Sequence, residues 1–247
     1  MALNEAMNET LTDAPATQPQ RQWGAALKAL RRLLSDKDDT VQVFEIMRAL
    51  NGGTSAKNYP RLLETTAGGR IAYEHVELAP LLMDQAWLDS FAPGTVGAAY
   101  RDFIRNENFS AEGLAEISRL RQTRIEEPHP YNWFGRRIRD THDIWHILSG
   151  YHRDGLGEAC LVAFSFAQTR GLGWAAIALG AGFKALREGH RSAARAIWQG
   201  YRRGKTAKWL PGEDAVRLMS EPLDAARRRL NIAPPTIYNA IPREQRG

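Results

Sequence analysis

His142, Asp143 and His146 fall within a single stretch of five residues, and Glu158 follows His146 after eleven intervening positions. Two imidazoles with one or two carboxylates suit a divalent metal, because ring nitrogen and carboxylate oxygen are the ligand types of zinc, iron(II) and manganese sites. The segment RRIRDTHDIWHILS sets Ile138, Trp145, Ile147 and Leu148 among polar positions and contains no proline, so it reads as one helix. At about 100° per residue, His146 lies about 40° round from His142 and Asp143 about 100° round, which places all three in one sector. Gly150, Asp154, Gly155 and Gly157 then allow the chain to turn and begin a second helix with Glu158 in its first turn, facing back. Gly150, four residues beyond His146, is expected to leave room over the ligands, the open position that a catalytic metal requires.

A bare pair of histidines four apart is more often a surface feature or a satisfied core pair; Asp143 and the helix-starting Glu158 are what single this pair out. The HDxxH order differs from the HExxH of zinc peptidases, where the longer glutamate reaches the bound water as general base, so a peptidase is set aside. Metal-dependent phosphohydrolysis is a rival, with His129 or His75 as a further ligand. Arg139, four residues before Asp143, is placed to orient that carboxylate through an i,i+4 ion pair. Arg136 could meet an anionic substrate, and His152, in the loop between the ligands, could serve as an acid or base near neutral pH.

The elements around this set read as helical. Residues 1–22 mix Asn, Thr, Pro and Gln without periodicity and are expected to be a disordered lead-in, 23–233 a single helical-bundle domain, and 234–247 a C-terminal tail. Trp23, Leu27, Leu30 and Leu34 give one apolar face, and Phe44, Met47 and Leu50 a second helix ended by Asn51-Gly52-Gly53. ETTAGGR (64–70) reads as a turn and the following IAYEHVEL as a short extended segment. Ala92-Pro93-Gly94-Thr95 is a turn with Thr95 as N-cap of VGAAYRDFIRN, whose Gly97, Ala98 and Ala99 would admit another backbone. A helix over 111–121, a proline-bounded connection at EEPHPYNW, and an apolar hairpin of ACLVAFSF and GWAAIALGAGF complete the pattern.

The chain has 247 residues and a formal charge of +5, and its first twenty residues carry Glu5, Glu9 and Asp13 with no base. The excess of positive charge concentrates at 184–229, with twelve basic and five acidic side chains, a face suited to an anionic partner. KALREGHRSAARAIWQGYRRGKTAKW (184–209) reads as an interfacial helix: Leu186, Ala193, Ile197 and Tyr201 form an apolar line, while Trp198, Tyr201 and Trp209 accompany Arg202, Arg203, Lys205 and Lys208. No nucleic-acid-binding signature accompanies the charge. The longest uncharged apolar run, 171–183, falls short of the roughly 18 residues that span a bilayer. The first residues resemble neither a secretory signal nor a transit peptide, and the single Cys160 gives no sign of an oxidising compartment.

With these residues in place, His142-Asp143-x-x-His146, eleven residues and Glu158 resemble the signature of the coenzyme Q (ubiquinone) biosynthesis protein 4 family. PGTVGAAYRDF (93–103), GEACLVAFSFAQT and LDAARRRLNI (223–232) resemble its flanks in order, so the likeness spans roughly residues 25–232. The resemblance implies an all-α fold, a peripheral membrane protein, and His142, Asp143, His146 and Glu158 as ligands of one divalent ion, zinc first, with iron or manganese as alternatives. It implies polyprenylated benzoate or quinone precursors and other ubiquinone-biosynthesis proteins as partners. Two roles go with it: removal of the ring carboxyl at C1 of a 4-hydroxy-3-methoxy-5-polyprenylbenzoate, coupled or not to hydroxylation, or a lipid-binding scaffold for the pathway's enzymes. The expected location is the bacterial cytoplasm at the inner membrane, with an anionic lipid surface as partner and room for a homo-oligomer.

Overall fold

A computed structural model describes residues 21–36, 39–106 and 129–247. Most of the lead-in set apart at 1–22 and the whole of the helix expected over 111–121 lie outside the described residues. Among the described residues the fold is all-α, with no strand.

α1 (Trp23–Ser35) and α2 (Thr40–Leu50) pack on each other at the start of the chain. The buried face of α1 is Ala26, Ala29 and Leu33, whereas Trp23 and Leu27 are exposed, so the expected apolar face is rotated. The small alanines bring α1 close to its neighbours, and Leu30 and Leu34 settle over Gly180, where a Cβ would stand 3.0 Å from a Leu30 methyl. Gly53, with φ +83°, turns the chain into α3 (Thr54–Leu63). The ETTAGGR segment is helix rather than turn, and with it goes the extended segment. Thr65 accepts a hydrogen bond from the Gly68 N–H to start α4 (Thr66–Glu74), and glycine is required at 68 because a Cβ would fall 1.8 Å from the Leu62 carbonyl oxygen.

Short α5 (Leu78–Met83) and α6 (Gln85–Asp89) lead to the 92–95 turn. There Gly94 takes φ +82° and Thr95 caps α7 (Val96–Asn106) by accepting from the Ala98 N–H at 3.2 Å, as expected. Gly97 does admit a close neighbour, since a Cβ there would meet the Phe91 ring at 2.4 Å. The connection expected at EEPHPYNW is helical from Pro130: His129 accepts from the Tyr131 N–H and opens α8 (Pro130–Asp140). Proline at the first helical position loses no hydrogen bond, which is why it starts this helix rather than breaking it.

The segment read as a single helix divides at Thr141 into α8 and α9 (His142–Ser149). The Thr141 hydroxyl donates back to the Arg137 carbonyl at 2.9 Å, a local bond that competes with the helical ladder. α10 (Gly155–Thr169) then runs through the core, with Cys160, Leu161 and Phe164 fully buried. Burial of Leu161 and Phe164 contributes roughly 1.5–3 kcal/mol each. α11 (Leu172–Arg187) and α12 (Arg191–Thr206) pack on it; Gly189 (φ +84°) separates them, so the basic stretch 184–209 is two helices and not one. ACLVAFSF is core, while α11 leaves Leu179, Phe183 and Leu186 exposed.

α13 (Ala215–Met219), α14 (Leu223–Arg229) and α15 (Thr236–Asn239) close the chain. Residues 234–247 pack into the same core through Tyr238 and Ile241. They also complete the start of α10. The first two amides of that helix donate to the Gly247 and Arg246 carbonyls, at 3.1 and 2.8 Å, and the third donates to the Asp154 carboxylate at 2.8 Å. Helix N-termini leave such donors without partners, and here every amide of the turn that precedes Glu158 is satisfied.

Candidate metal centre

The break at Thr141 places His142 and Asp143 in the first turn of α9, and His146 one turn on. Ligand atoms of these three side chains lie within 4.8 Å of one another. α10 brings Glu158 to them: its Oε1 is 3.2 Å from His146 Nε2. The hairpin that returns Glu158 to the histidines depends on Gly157, where a Cβ would sit 1.9 Å from the His152 carbonyl oxygen.

His146 is the best-defined member. It is 1% exposed, and its Nδ1 lies 3.0 Å from the Tyr151 carbonyl oxygen. A carbonyl can only accept, so Nδ1 carries the proton and Nε2 presents its lone pair. That Nε2 is buried and has no hydrogen-bond partner, since Glu158, although near, is not aligned to make one. A buried polar atom without a partner is costly, and a cation between His146 and Glu158 would satisfy it. His142 is held by the Trp174 ring, stacked 5.8 Å away and 9° from parallel, and its Nδ1 is 3.6 Å from Asp143 Oδ1. Phe103 lies against the other imidazole at 5.6 Å.

The charges suit a cation. Burial opposes ionisation of Asp143, yet the His142 contact and the Arg153 guanidinium hold its carboxyl far below the usual range. Glu158 is likewise held low against burial by His146 and His142. For His142 burial opposes the charge, and the Asp143 carboxylate at 3.6 Å together with the Glu158 charge outweigh it and raise the pKa. His142, Asp143 and His146 are grouped closely enough to hold a metal, Glu158 adjoins them at His146, and imidazole with carboxylate is the donor chemistry of zinc, iron(II) or manganese sites. To hold a metal there His142 would have to be neutral, since a ligating imidazole binds through a free lone pair.

The supporting residues differ from those expected. Arg153, not Arg139, orients Asp143, with Nη2 at 3.1 Å from Oδ1. Arg139 instead meets the adjacent Asp140 at 2.9 Å. Arg136, expected to meet substrate, is buried and grips Glu77 with two hydrogen bonds of 3.1 and 2.5 Å. Gly150 does not lie over the ligands: it is the left-handed C-cap of α9 (φ +75°), and a Cβ there would face Pro235 at 3.5 Å. A valine at 150 would be strained by its backbone and would block no ligand. His152 is exposed, and its amide donates to the Tyr238 hydroxyl at 3.2 Å.

Sequence reasoning missed Arg153, the Tyr151 carbonyl, Trp174 and Phe103, none of which belongs to a ligand spacing. Asp154, N-cap three residues before Gly157, and the glycines around it were the legible signals for the hairpin. His129 is a helix cap, and His75 stacks on Trp133 at 4.6 Å. Neither belongs to the cluster, which removes the support for a phosphohydrolase ligand set.

The basic face is also redrawn. Trp198, Arg202, Lys205 and Lys208 are exposed and Tyr201 is half-buried. Arg203 is buried, donating to the Ser149 and Ala233 carbonyls, and Trp209 is packed under Arg61 with its indole N–H on the Gln168 carbonyl. Among the described residues no helix is long and apolar enough to cross a membrane.

Comparison with known proteins agrees with this architecture. The family described as Coenzyme Q (ubiquinone) biosynthesis protein Coq4 matches residues 22–236. The mitochondrial ubiquinone biosynthesis protein coq4 of Pyrenophora tritici-repentis is 26% identical over 191 residues, covering 75% of this chain and 62% of that protein. The mitochondrial COQ4 of Pyricularia oryzae is 30% identical over 130 residues, 53% of this chain and 40% of the relative. This chain thus spans less than two thirds of the length of these relatives. A crystal structure of a Nostoc punctiforme protein assigned to ubiquinone biosynthesis shares the fold, with a TM-score of 0.63 and 20% identity over 86% of this chain and 99% of the other. The family match runs from the residue before α1 to the start of α15, and the chain belongs to the Coenzyme Q (ubiquinone) biosynthesis protein Coq4 family.

Proposed function

We propose that this chain acts in ubiquinone biosynthesis, holding one divalent ion on His142, Asp143, His146 and Glu158 and removing the C1 carboxyl of a 4-hydroxy-3-methoxy-5-polyprenylbenzoate. The observation that carries the reading is the His146 Nε2 atom, buried, fixed in tautomer by Tyr151, without a hydrogen-bond partner and 3.2 Å from a carboxylate. A divalent ion bound there would supply a Lewis acid for the ring carboxylate or phenol oxygen. The chain's own residues do the rest. Arg153 fixes Asp143, and Trp174 and Phe103 wall the imidazoles with apolar surface. Tyr100 is buried near enough to Asp143 to feel its charge, and burial with that charge keeps its hydroxyl protonated. The Glu158 side chain is 41% exposed, so the donor set opens to a substrate arriving from outside.

A second reading is a scaffold in which the ion is structural, favoured by the count of four protein donors. Incubating the metal-loaded protein with the prenylated benzoate and following the ring by mass spectrometry separates the two. The expected result is loss of the carboxyl carbon at a rate abolished by chelation and restored by adding the ion back. No turnover with zinc, iron or manganese, while the ion stays bound, overturns the enzymatic reading.

The substrate's polyprenyl tail calls for a lipid surface, and the exposed apolar side chains of α11, Leu179, Phe183 and Leu186, suit one. On α12, which packs on α11, exposed Trp198 stands between the exposed Arg195 and Arg202 in sequence. Each base near anionic lipid contributes on the order of 1 kcal/mol. Arg195→Glu with Arg202→Glu is therefore expected to weaken retention on anionic vesicles by at least about tenfold at low salt. Unchanged co-sedimentation would remove this face from the account.

A further inference from the structure

Two arginines close the far end of α9, away from its metal-ligand turn. Arg203 Nη2 donates to the Ser149 carbonyl at 2.7 Å and Nε to the Ala233 carbonyl at 2.8 Å. Arg227 donates to the Ile147 and Leu148 carbonyls at 2.8 and 3.2 Å. Cations at a helix C-terminus are ordinary capping. Capping leaves one thing over: Arg203 is 6% exposed, and its Nη1 is buried with no hydrogen-bond partner. Its guanidinium rests 4.8 Å from the Tyr151 ring, whose hydroxyl is likewise buried without a hydrogen-bond partner and feels the Arg203 charge. The two guanidinium groups also act on each other. Arg227 has its pKa lowered chiefly by burial and further by the Arg203 charge, with Asp224 opposing.

Beside these arginines lies a cleft of about 490 Å³, within the range of about 300–1,000 Å³ usual for small-molecule sites. Arg228 and His152 add to its polar wall, Asp224 is the one acid among the described residues that line it, and Leu148, Ile232 and Pro235 make an apolar side. Gly150, in its left-handed bend, lines this cleft rather than the metal centre. Three guanidinium groups against one carboxylate call for an anion, and the planar fork of arginine matches carboxylate or phosphate oxygens. The apolar wall calls for an organic body behind that head.

We infer that the cleft between α9, α12 and α14 is a second binding site, for a small organic oxyanion whose carboxylate or phosphate head accepts from Arg203 Nη1 and whose apolar body lies along Leu148 and Ile232. It is separate from the proposed metal chemistry, because the ligands occupy the first turns of α9 and the cleft its last.

The test is calorimetric titration of the full chain with phenyl phosphate, benzoate and inorganic phosphate. Arg203→Gln removes the unpartnered donor but also a cap. Ala233→Trp, at an exposed position on the cleft, fills the space and leaves every buried hydrogen bond in place, so it decides the matter if Arg203→Gln does not fold. Phenyl phosphate or benzoate should bind wild type and His142→Ala alike, more tightly than inorganic phosphate, and lose at least about tenfold in affinity in Ala233→Trp and in folded Arg203→Gln. Three outcomes overturn the inference: no binding of any of the three to wild type, binding undiminished in Ala233→Trp, or binding lost in His142→Ala, which would send the anion to the metal centre instead. Because His142→Ala is expected to bind the anion while losing its ion, failure here and failure of the proposed metal chemistry give different results.

Discussion

Replacing His142 and His146 together by alanine is expected, on the proposed metal chemistry, to abolish divalent-ion binding and reduce decarboxylation to background. Loss of a single supporting contact to a ligand typically costs about 10–100-fold in metal affinity, so Arg153→Gln, which frees Asp143 without removing a donor, should fall in that range. Removing two of four donors should exceed it. The two sites differ in structural cost: His142 is partly exposed, whereas His146 is buried and its loss leaves the Tyr151 carbonyl unpaired, at about 1–3 kcal/mol. Elemental analysis of purified protein, with circular dichroism to show that the helices remain, provides the check. A folded double variant that keeps the wild-type metal content would contradict the ligand assignment.

The largest stability effect is expected where α10 and α12 touch backbone to backbone. A Cβ on Gly200 would stand 2.4 Å from the Cys160 carbonyl oxygen, and one on Gly204 2.5 Å from that of Phe164. In an open helix, glycine to alanine stabilises by up to about 1 kcal/mol. At Gly200 the sign should reverse, because the nearest atom is backbone and cannot rotate away. Gly200→Val should cost about 3 kcal/mol, at the upper end for overpacking. For a chain of this size that lowers Tm by about 6–12 °C. Glu158 stands on α10 two residues before Cys160, so forcing the helices apart should weaken metal retention as well. A melting temperature equal to or above wild type would show that the two helices are not locked in this way.

The proximity of the proposed ligands was legible because their spacing is local. His142, Asp143 and His146 share a helix turn, and Glu158 returns by a short hairpin whose Asp154 cap and glycines can be read in order. Their supports were not legible, because Arg153, Trp174 and Phe103 reach the ligands through the path of the loop and the packing of α7 and α11. Gly150 shows the limit of counting residues along a helix. Its spacing from His146 points over the ligands, but it is the left-handed residue that ends α9, and the chain turns it toward Pro235. Thr65 and Gly68 overrode the turn signal of ETTAGGR through a cap and a close approach to Leu62. Arg203 looked like one more exposed base on a basic helix; only the neighbouring Ser149 and Ala233 carbonyls, distant in sequence, reveal it as buried.

Anomalous diffraction from crystals of protein loaded with zinc or iron, collected on both sides of the metal's absorption edge, tests the central claim most directly. One peak per chain is expected, about 2.0–2.2 Å from His146 Nε2 and from a Glu158 oxygen, with His142 and Asp143 completing the shell. Metal-replete crystals whose anomalous signal lies elsewhere, with His146 Nε2 still uncoordinated, would contradict it.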